Sequence, residues 1–488
     1  MRSSAADGWR RLAAPAAWIA GTAAILLILF PAGFPNYDTI YGLVWGRELA
    51  HGMSPDYGSA LPPTPHPLLD LLGAITTPLG DGAITVTMVI AYAALGLIAY
   101  LVYRLGSLWF DRAVGAVAAV IVLTRAPFLS NGLRAYVDLP YIALCLAALA
   151  VESRRPRAGW PVLALLAAAG LLRPEAWIFS FAYLAYLLVD LRRRPLALRL
   201  RRDRGRGEVI GLVALAAAAP LAWGLFDLIT AGSATYSFTG TKDTVDTLGR
   251  QTGLADLVLY GPRRLGEVLQ WPGVVGAAGG IALALAFMRR RALLGVTAAA
   301  LALAAFALLA IAGLAIIPRY TMLAAAVLAI FCAAGLLGWR LLAPGHPWRR
   351  RWQLFAVVVA AMFVAWGPNQ YDLLHRVDTD IGNQGAIEDD LTDLADSGAF
   401  APLCGPISVP NHRAVPRLAF ALDIEPTRVV SSSEQRQPRR GYFLAPASPF
   451  VIHNFILDPN DPARFRVNRP AGFRRVAAND SWILYRRC

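Results

Sequence analysis

From Leu12 onward the chain keeps returning to apolar runs long enough to carry an α-helix across the hydrocarbon core of a bilayer, which takes about 20 residues. Such windows fall near 12–31, 83–103, 113–128, 139–151, 160–173, 175–190, 208–229, 271–288, 292–316, 319–342 and 354–369. With 57% of 488 residues hydrophobic and 16% charged, the chain is too apolar for a soluble protein of its length. The pattern predicts an α-helical polytopic membrane protein of about eleven transmembrane helices. The first run is longer than the roughly 7–15 residues of a signal-peptide core, and no small-residue cleavage site follows it, so this span is expected to be retained. Runs as short as 139–151, and the pair broken at Arg173-Pro174, predict helices that stop or bend inside the protein. Non-helical backbone survives at membrane depth only against protein or a water-filled cavity.

The formal net charge is +14, and its distribution excludes a nucleic-acid partner. Arginines crowd the N-terminus and the loops around 104–112, 154–157, 192–206, 289–291 and 340–351, whereas the alternate loops and the tail carry acids in balance or excess. Cation-rich short loops face the cytoplasm. The N-terminus is therefore expected inside and the C-terminus outside, with the 192–206 loop resting on anionic lipid. No Walker loop, strand-borne G-x-G-x-x-G or G-x-S-x-G elbow is present, so nucleotide-driven chemistry and serine hydrolysis lack support.

The parity divides the chain into a transmembrane domain, 1–370, with outer loops 32–82 and 230–270, and an extracytoplasmic soluble α/β domain, 371–488. In the latter an acidic helix is expected over Ile387–Ser397, followed by strand-like runs PISVPN, TRVVSS, GYFLA and SWILY. Cys145 and Cys332 lie in apolar runs as packed thiols. Cys404 and Cys488 fall in the tail, where a disulfide and two free thiols are both open readings.

One outer stretch stands apart, Phe34–Asp70, where the chain turns polar, aromatic and proline-rich. Asp38 sits within a turn or two of the hydrocarbon edge, an expensive place for a carboxylate. Ile40–His51 reads as a short amphipathic helix lying flat on the bilayer, with Ile40, Val44 and Leu49 on one face and Arg47 and Glu48 on the other. Prolines then hold the segment Pro62–Pro67 rigid around His66.

An Asp after the first span, a Tyr three on (Tyr41), Arg47-Glu48-Leu49-Ala50-x-Gly52, Tyr57, and His66-Pro67-Leu68 opening the next apolar run together resemble the first outer loop of the GT-C glycosyltransferases. These multi-span enzymes use polyprenyl-phosphate sugars and include the protein mannosyltransferases and lipid A aminoarabinose transferases. Thr39 stands where many members have a second acid, and Pro67 is single where they have two prolines. The resemblance implies that Asp38 deprotonates the acceptor hydroxyl, the alternative being a helix cap. Asp138, before Leu139-Pro140, matches an acidic position of the family; it would bind sugar or share a divalent cation such as Mg or Mn with Asp38, or else cap its helix. Arg173-Pro174-Glu175-Ala176 matches a segment frequent in the family, as substrate contact or as a structural ion pair. Arg319-Tyr320 matches the pair credited with holding the lipid phosphate, or is an interfacial anchor; Arg134 and His66 are weaker partners.

The implied function is an inverting transfer of sugar from a polyprenyl-phosphate donor to a glycan, lipid or protein of the cell envelope, on the outer face of a bacterial plasma membrane. No cofactor is firmly implied, and Thr39 leaves a metal requirement open. A transporter or flippase of a lipid-linked anion would use the same broken spans and intramembrane arginines. A catalytically silent scaffold acting through its tail is a third reading. Convergence of Asp38, Asp138 and Arg319 on one cavity is the feature that tells them apart.

Overall fold

A computed structural model describes residues 3–30, 33–193, 202–456 and 469–488. The first half is a run of helices: α1 (Ser3–Leu29), α2 (Tyr37–Ala50), α3 (Pro67–Thr76), α4 (Gly82–Trp109), α5 (Arg112–Leu123), α6 (Ala126–Leu133), α7 (Asp138–Arg154), α8 (Trp160–Gly170) and α9 (Glu175–Arg193). After residues outside those described come α10 (Arg202–Ala231), α11 (Tyr236–Leu248), α12 (Gly253–Leu269), α13 (Trp271–Ile311), α14 (Met322–Leu337), α15 (Arg349–Ala365) and α16 (Gly367–Asp396). The basic 192–206 loop falls mostly on the undescribed residues, so its lipid-facing role is not addressed by the structure.

Every apolar run meets a helix, but not always one helix per run. The runs at 271–288 and 292–316 join into the 41 residues of α13, broken only where Met288 leaves helical geometry (φ −135°, ψ 33°). The run at 113–128 is two helices, α5 and α6, bent by 62°. Four helical segments among the described residues are long and apolar enough to span a membrane alone, six if each bent pair counts as one span. The remaining runs are shorter apolar helices, which length and composition alone do not certify as spans. At the centre lies α14, nearly all of it buried against α13 and α5. Small residues allow this closeness: a Cβ on Gly280 of α13 would overlap the carbonyl of Phe331.

A bend of 47° separates α15 from α16, whose 30 residues leave the bundle and run into a small folded unit. Its sheet has five strands, β1 (Ile407–Val409), β2 (Val429–Ser431), β3 (Gly441–Pro446), β4 (Arg474–Ala478) and β5 (Trp482–Arg487), in the order β2-β1-β3-β5-β4. β1 pairs in parallel with β2 and β3, whereas β5 runs antiparallel between β3 and β4. Helices α16 and α17 (Val415–Ala421) cover the sheet, and a disulfide joins Cys404 to Cys488.

The α2 helix corrects one expectation. Rather than lying on the bilayer, it is buried on nearly every side. Ile40, Tyr41, Val44 and Trp45 belong to the hydrophobic core of the C-terminal unit, together with Ile387, Leu391, Trp482 and Leu484. On its other side Gly42 and Gly46 lie against α3, where a Cβ on Gly46 would strike the carbonyl of Asp70. Arg47, expected on a solvated face, donates to the carbonyls of Ala419 and Phe420 at 3.0 and 3.1 Å and pairs with Asp423. An apolar stripe of this kind looks the same in sequence whether lipid or protein covers it.

Candidate active site

The site begins at the N-terminus of α2. Asn36, with extended backbone, caps the helix: its Oδ1 accepts from the backbone N–H groups of Asp38 (2.8 Å) and Thr39 (3.3 Å). Its Nδ2 donates to the carbonyl of Arg134 at 2.9 Å, and the Thr39 hydroxyl donates to that of Ala135 at 2.7 Å. The cap therefore belongs to Asn36, and the Asp38 side chain is left for another task. The same contacts bolt α2 to the turn before α7.

Asp38 Oδ2 accepts from Arg319 Nη1 at 3.0 Å. Arg319 stands in a short 3₁₀ turn, Pro318–Thr321, at the start of α14, with its guanidinium over the rings of Tyr136 (5.5 Å) and Tyr320 (5.7 Å). Arg173 also lies over Tyr320, 4.4 Å from the ring centroid. Arg173 donates to Asp138 and, at 2.7 Å, to Glu175. A continuous row thus runs from Asp38 through Arg319, Tyr320 and Arg173 to Asp138 and Glu175.

The row forms one wall of a cavity of about 590 Å³. Asp38, His66, Arg173, Glu175, Arg319 and Tyr320 line its polar end, while Trp177, Phe181, Trp223, Leu309 and Leu314 line an apolar flank. Asp138 meets it only through Arg173, with a side chain 2% exposed against 17% for Asp38. His66 is buried edge-on to Trp223, its Nδ1 without a hydrogen-bond partner among the described residues. Burial pushes its imidazole down to about 4, so the ring is neutral at ordinary pH.

Two expected site residues lie elsewhere. Tyr41 is fully buried in the core of the C-terminal unit, its hydroxyl 2.7 Å from that of Ser59. One turn earlier, Tyr37 takes the place at the cavity. Arg134 turns its guanidinium over Phe34 at 6.0 Å and contributes its backbone carbonyl to the cap of α2. Sequence reasoning passed over Asn36, although an Asn directly before a helix is a recognised cap signal, and also Tyr136, Trp223 and Asp227. It passed over His412 as well, which reaches the cavity from the C-terminal unit and stands edge-on to Tyr37 at 5.4 Å.

A divalent cation fits poorly. Asp38 and Asp138 each lie on an arginine, and no group of three carboxylate, histidine or cysteine side chains converges among the described residues.

No protein-family model matches the chain, and no curated protein matches it. Solved structures do. The ArnT of Cupriavidus metallidurans bound to undecaprenyl phosphate superposes with a TM-score of 0.55 at 14% identity, covering 98% of each chain. Its apo state gives 0.49 at 14% identity, over 99% of this chain and 98% of that one. The archaeal oligosaccharyltransferase AglB of Archaeoglobus fulgidus gives 0.47 at 14% identity, over 86% of this chain and 64% of its own. The likeness to the first spans the apolar helices, the loops between them and the C-terminal unit alike. This chain is a multi-pass membrane protein with the fold of the GT-C glycosyltransferases.

Proposed function

We propose that the protein is an inverting glycosyltransferase that takes sugar from a polyprenyl-phosphate donor. The observation that carries this reading is the pairing of a partly accessible carboxylate, Asp38, with a guanidinium, Arg319, on the wall of a cavity with both polar and apolar flanks. The ArnT of similar fold binds undecaprenyl phosphate, a ligand of that amphipathic character.

The chemistry follows from the placement. The donor phosphate meets Arg319, whose planar fork matches phosphate oxygens, while the prenyl chain follows Trp177, Phe181 and Leu309. Asp38 accepts the proton of the acceptor hydroxyl as its oxygen attacks the anomeric carbon. The bond from that carbon to the phosphate oxygen breaks, and its electron pair leaves on the phosphate, which Arg319 neutralises. Attack opposite the leaving group inverts the anomeric centre. His66, neutral, offers hydrogen bonds without adding charge. Arg173, fixed by two carboxylates, holds Tyr320 against Arg319.

We place the reaction on the outer face of a bacterial plasma membrane, with the N-terminus in the cytoplasm and the acceptor a glycan, lipid or protein of the envelope. The parity of the arginine-rich loops supports this, as does the Cys404–Cys488 disulfide, which belongs in an oxidising compartment. A cysteine at exposed Arg475 should react with a membrane-impermeant thiol reagent in intact cells; labelling only after lysis would reverse the orientation.

Purified protein incubated with a panel of radiolabelled polyprenyl-phosphate sugars and a membrane extract should transfer label in an Asp38-dependent way. Transfer from none of the donors would overturn the reading. A transporter or silent scaffold leaves the sugar–phosphate bond intact in the same assay.

A further inference from the structure

A cavity of about 530 Å³ lies between α7, α8, α9, α13 and α14 and shares no lining residue with the one beside Asp38. Leu146, Leu166, Phe179, Leu301, Leu323 and Val327 give it apolar walls. Glu152, Tyr183, Tyr186 and Arg290 line it as well, and the helices fix the end at which they stand. Both α7 and α9 start at the first site, where Arg173 joins Asp138 to Glu175; Glu152, Tyr183 and Tyr186 lie about two to four turns further along. Leu309 of α13 lines the first cavity, and Arg290 stands about 19 residues, and so about 28 Å, earlier on the same helix. That is close to the roughly 30 Å of a bilayer's hydrocarbon core. Arg290 therefore stands at the headgroup level of the leaflet opposite the Asp38 site, with the apolar walls between.

The positive charge at this end is uncompensated. Arg290 follows the break at Met288 and is flanked by Arg289 and Arg291; all three are exposed, and none pairs with a carboxylate among the described residues. The cavity's own acid is engaged elsewhere: Glu152 accepts from the backbone N–H groups of Arg157 (2.7 Å) and Ala158 (3.2 Å) and from the Tyr183 hydroxyl (2.6 Å). Tyr186 and Leu293, on facing sides of the rim, are 44% and 52% exposed at positions between the two headgroup levels, so the cavity opens sideways to lipid.

We propose that this cavity binds an anionic glycerophospholipid of the leaflet opposite the Asp38 site, with the lipid phosphate on Arg290 and an acyl chain in the slot between α9 and α13. An unpaired guanidinium at the mouth of an apolar slot complements a phosphate that carries a hydrocarbon chain. A zwitterionic headgroup brings its own cation and gains less. The lipid would brace α9, the helix that carries Glu175 and Trp177 to the first cavity. Nothing in this site depends on the glycosyltransferase reading.

The test uses full-length protein in nanodiscs of equal parts phosphatidylcholine and phosphatidylglycerol, with no sugar donor, and counts retained lipid by native mass spectrometry. One phosphatidylglycerol should be held, about fivefold in preference to phosphatidylcholine, as one arginine at a headgroup implies. Arg290→Glu should abolish the preference, and Ala298→Trp, which fills the slot, should remove the bound lipid itself. Phosphatidylglycerol should also raise the melting temperature of the parent but not of Arg290→Glu, and equal melting temperatures in pure phosphatidylcholine will show that the variants are folded. Equal retention of the two lipids by the parent overturns the proposal whatever the variants do. A preference that survives both substitutions overturns it too, as does displacement of phosphatidylglycerol by equimolar undecaprenyl phosphate, which would give the slot to a prenyl chain.

Discussion

Asp38 and Asp138 look alike in sequence, each an acid at the start of a helix near the membrane edge, yet the protein uses their surroundings to opposite ends. Asp138 is sealed away and shares Arg173 with Glu175, so one guanidinium compensates two buried carboxylates. Asp38 has one side-chain partner among the described residues, keeps part of its surface open, and borders the cavity directly. A group that must exchange a proton with a substrate needs access; a group that holds a scaffold together needs the reverse. On the proposed reading of Asp38 as the base, the pairing stoichiometry around an acid, more than the acid itself, separates a reacting carboxylate from a supporting one.

The sharpest break in this comparison comes from Asp38→Asn, which keeps size and most hydrogen bonds. Turnover should fall by about 10²–10⁴-fold, the usual worth of a positioned general base, with donor binding and thermal stability in detergent retained. Near-normal transfer by a stable Asn variant would move the base elsewhere. Next in size, Arg173→Met leaves Asp138 and Glu175 buried without a cation and should cost about 3–5 kcal/mol of stability. If its melting temperature matches that of the parent, the cluster is not the support described here.

A smaller effect is expected at Arg319. Arg319→Ala should weaken donor binding about tenfold or more, and Arg319→Lys less, since lysine keeps the charge but loses the fork. Unchanged donor affinity in both variants would leave Arg319 an interfacial anchor. The smallest effect expected is none at all: with arginines supplying the positive charge, transfer should persist in a chelator. Activity lost in EDTA and restored by Mg or Mn would put a cation on Asp38 and dissolve the contrast with Asp138.

Much of the architecture was legible, for physical reasons. Apolar runs declare helices because nothing else satisfies backbone polar groups in hydrocarbon, and alternating runs such as GYFLA and SWILY did become β3 and β5. Of Asp38, Asp138 and Arg319, the trio whose convergence the sequence reading put to the test, Asp38 and Arg319 border one cavity and Asp138 meets it only through Arg173. What could not be read was the identity of distant partners. The face of α2 that carries Tyr41 is apolar, and only the fold reveals that protein rather than lipid covers it. His412 reaches the cavity from a segment with no local signal of its role. The closeness of α2 to α3 was readable and missed: Gly42 and Gly46 are spaced four apart, the pattern that brings helices together.

The seating of α2 also has a consequence for biogenesis. Its Arg47 is clamped by carbonyls 372 and 373 residues further along the chain, and its apolar face is closed by Trp482 and Leu484 of the last strand described. During synthesis the helix bearing Asp38 emerges early and waits for that partner. Until the C-terminal unit has folded, α2 lacks this cover and Asp38 is not seated beside Arg319. On the proposed function, catalytic competence is then coupled to the fold of the tail: insertion of the helices alone leaves Asp38 unplaced.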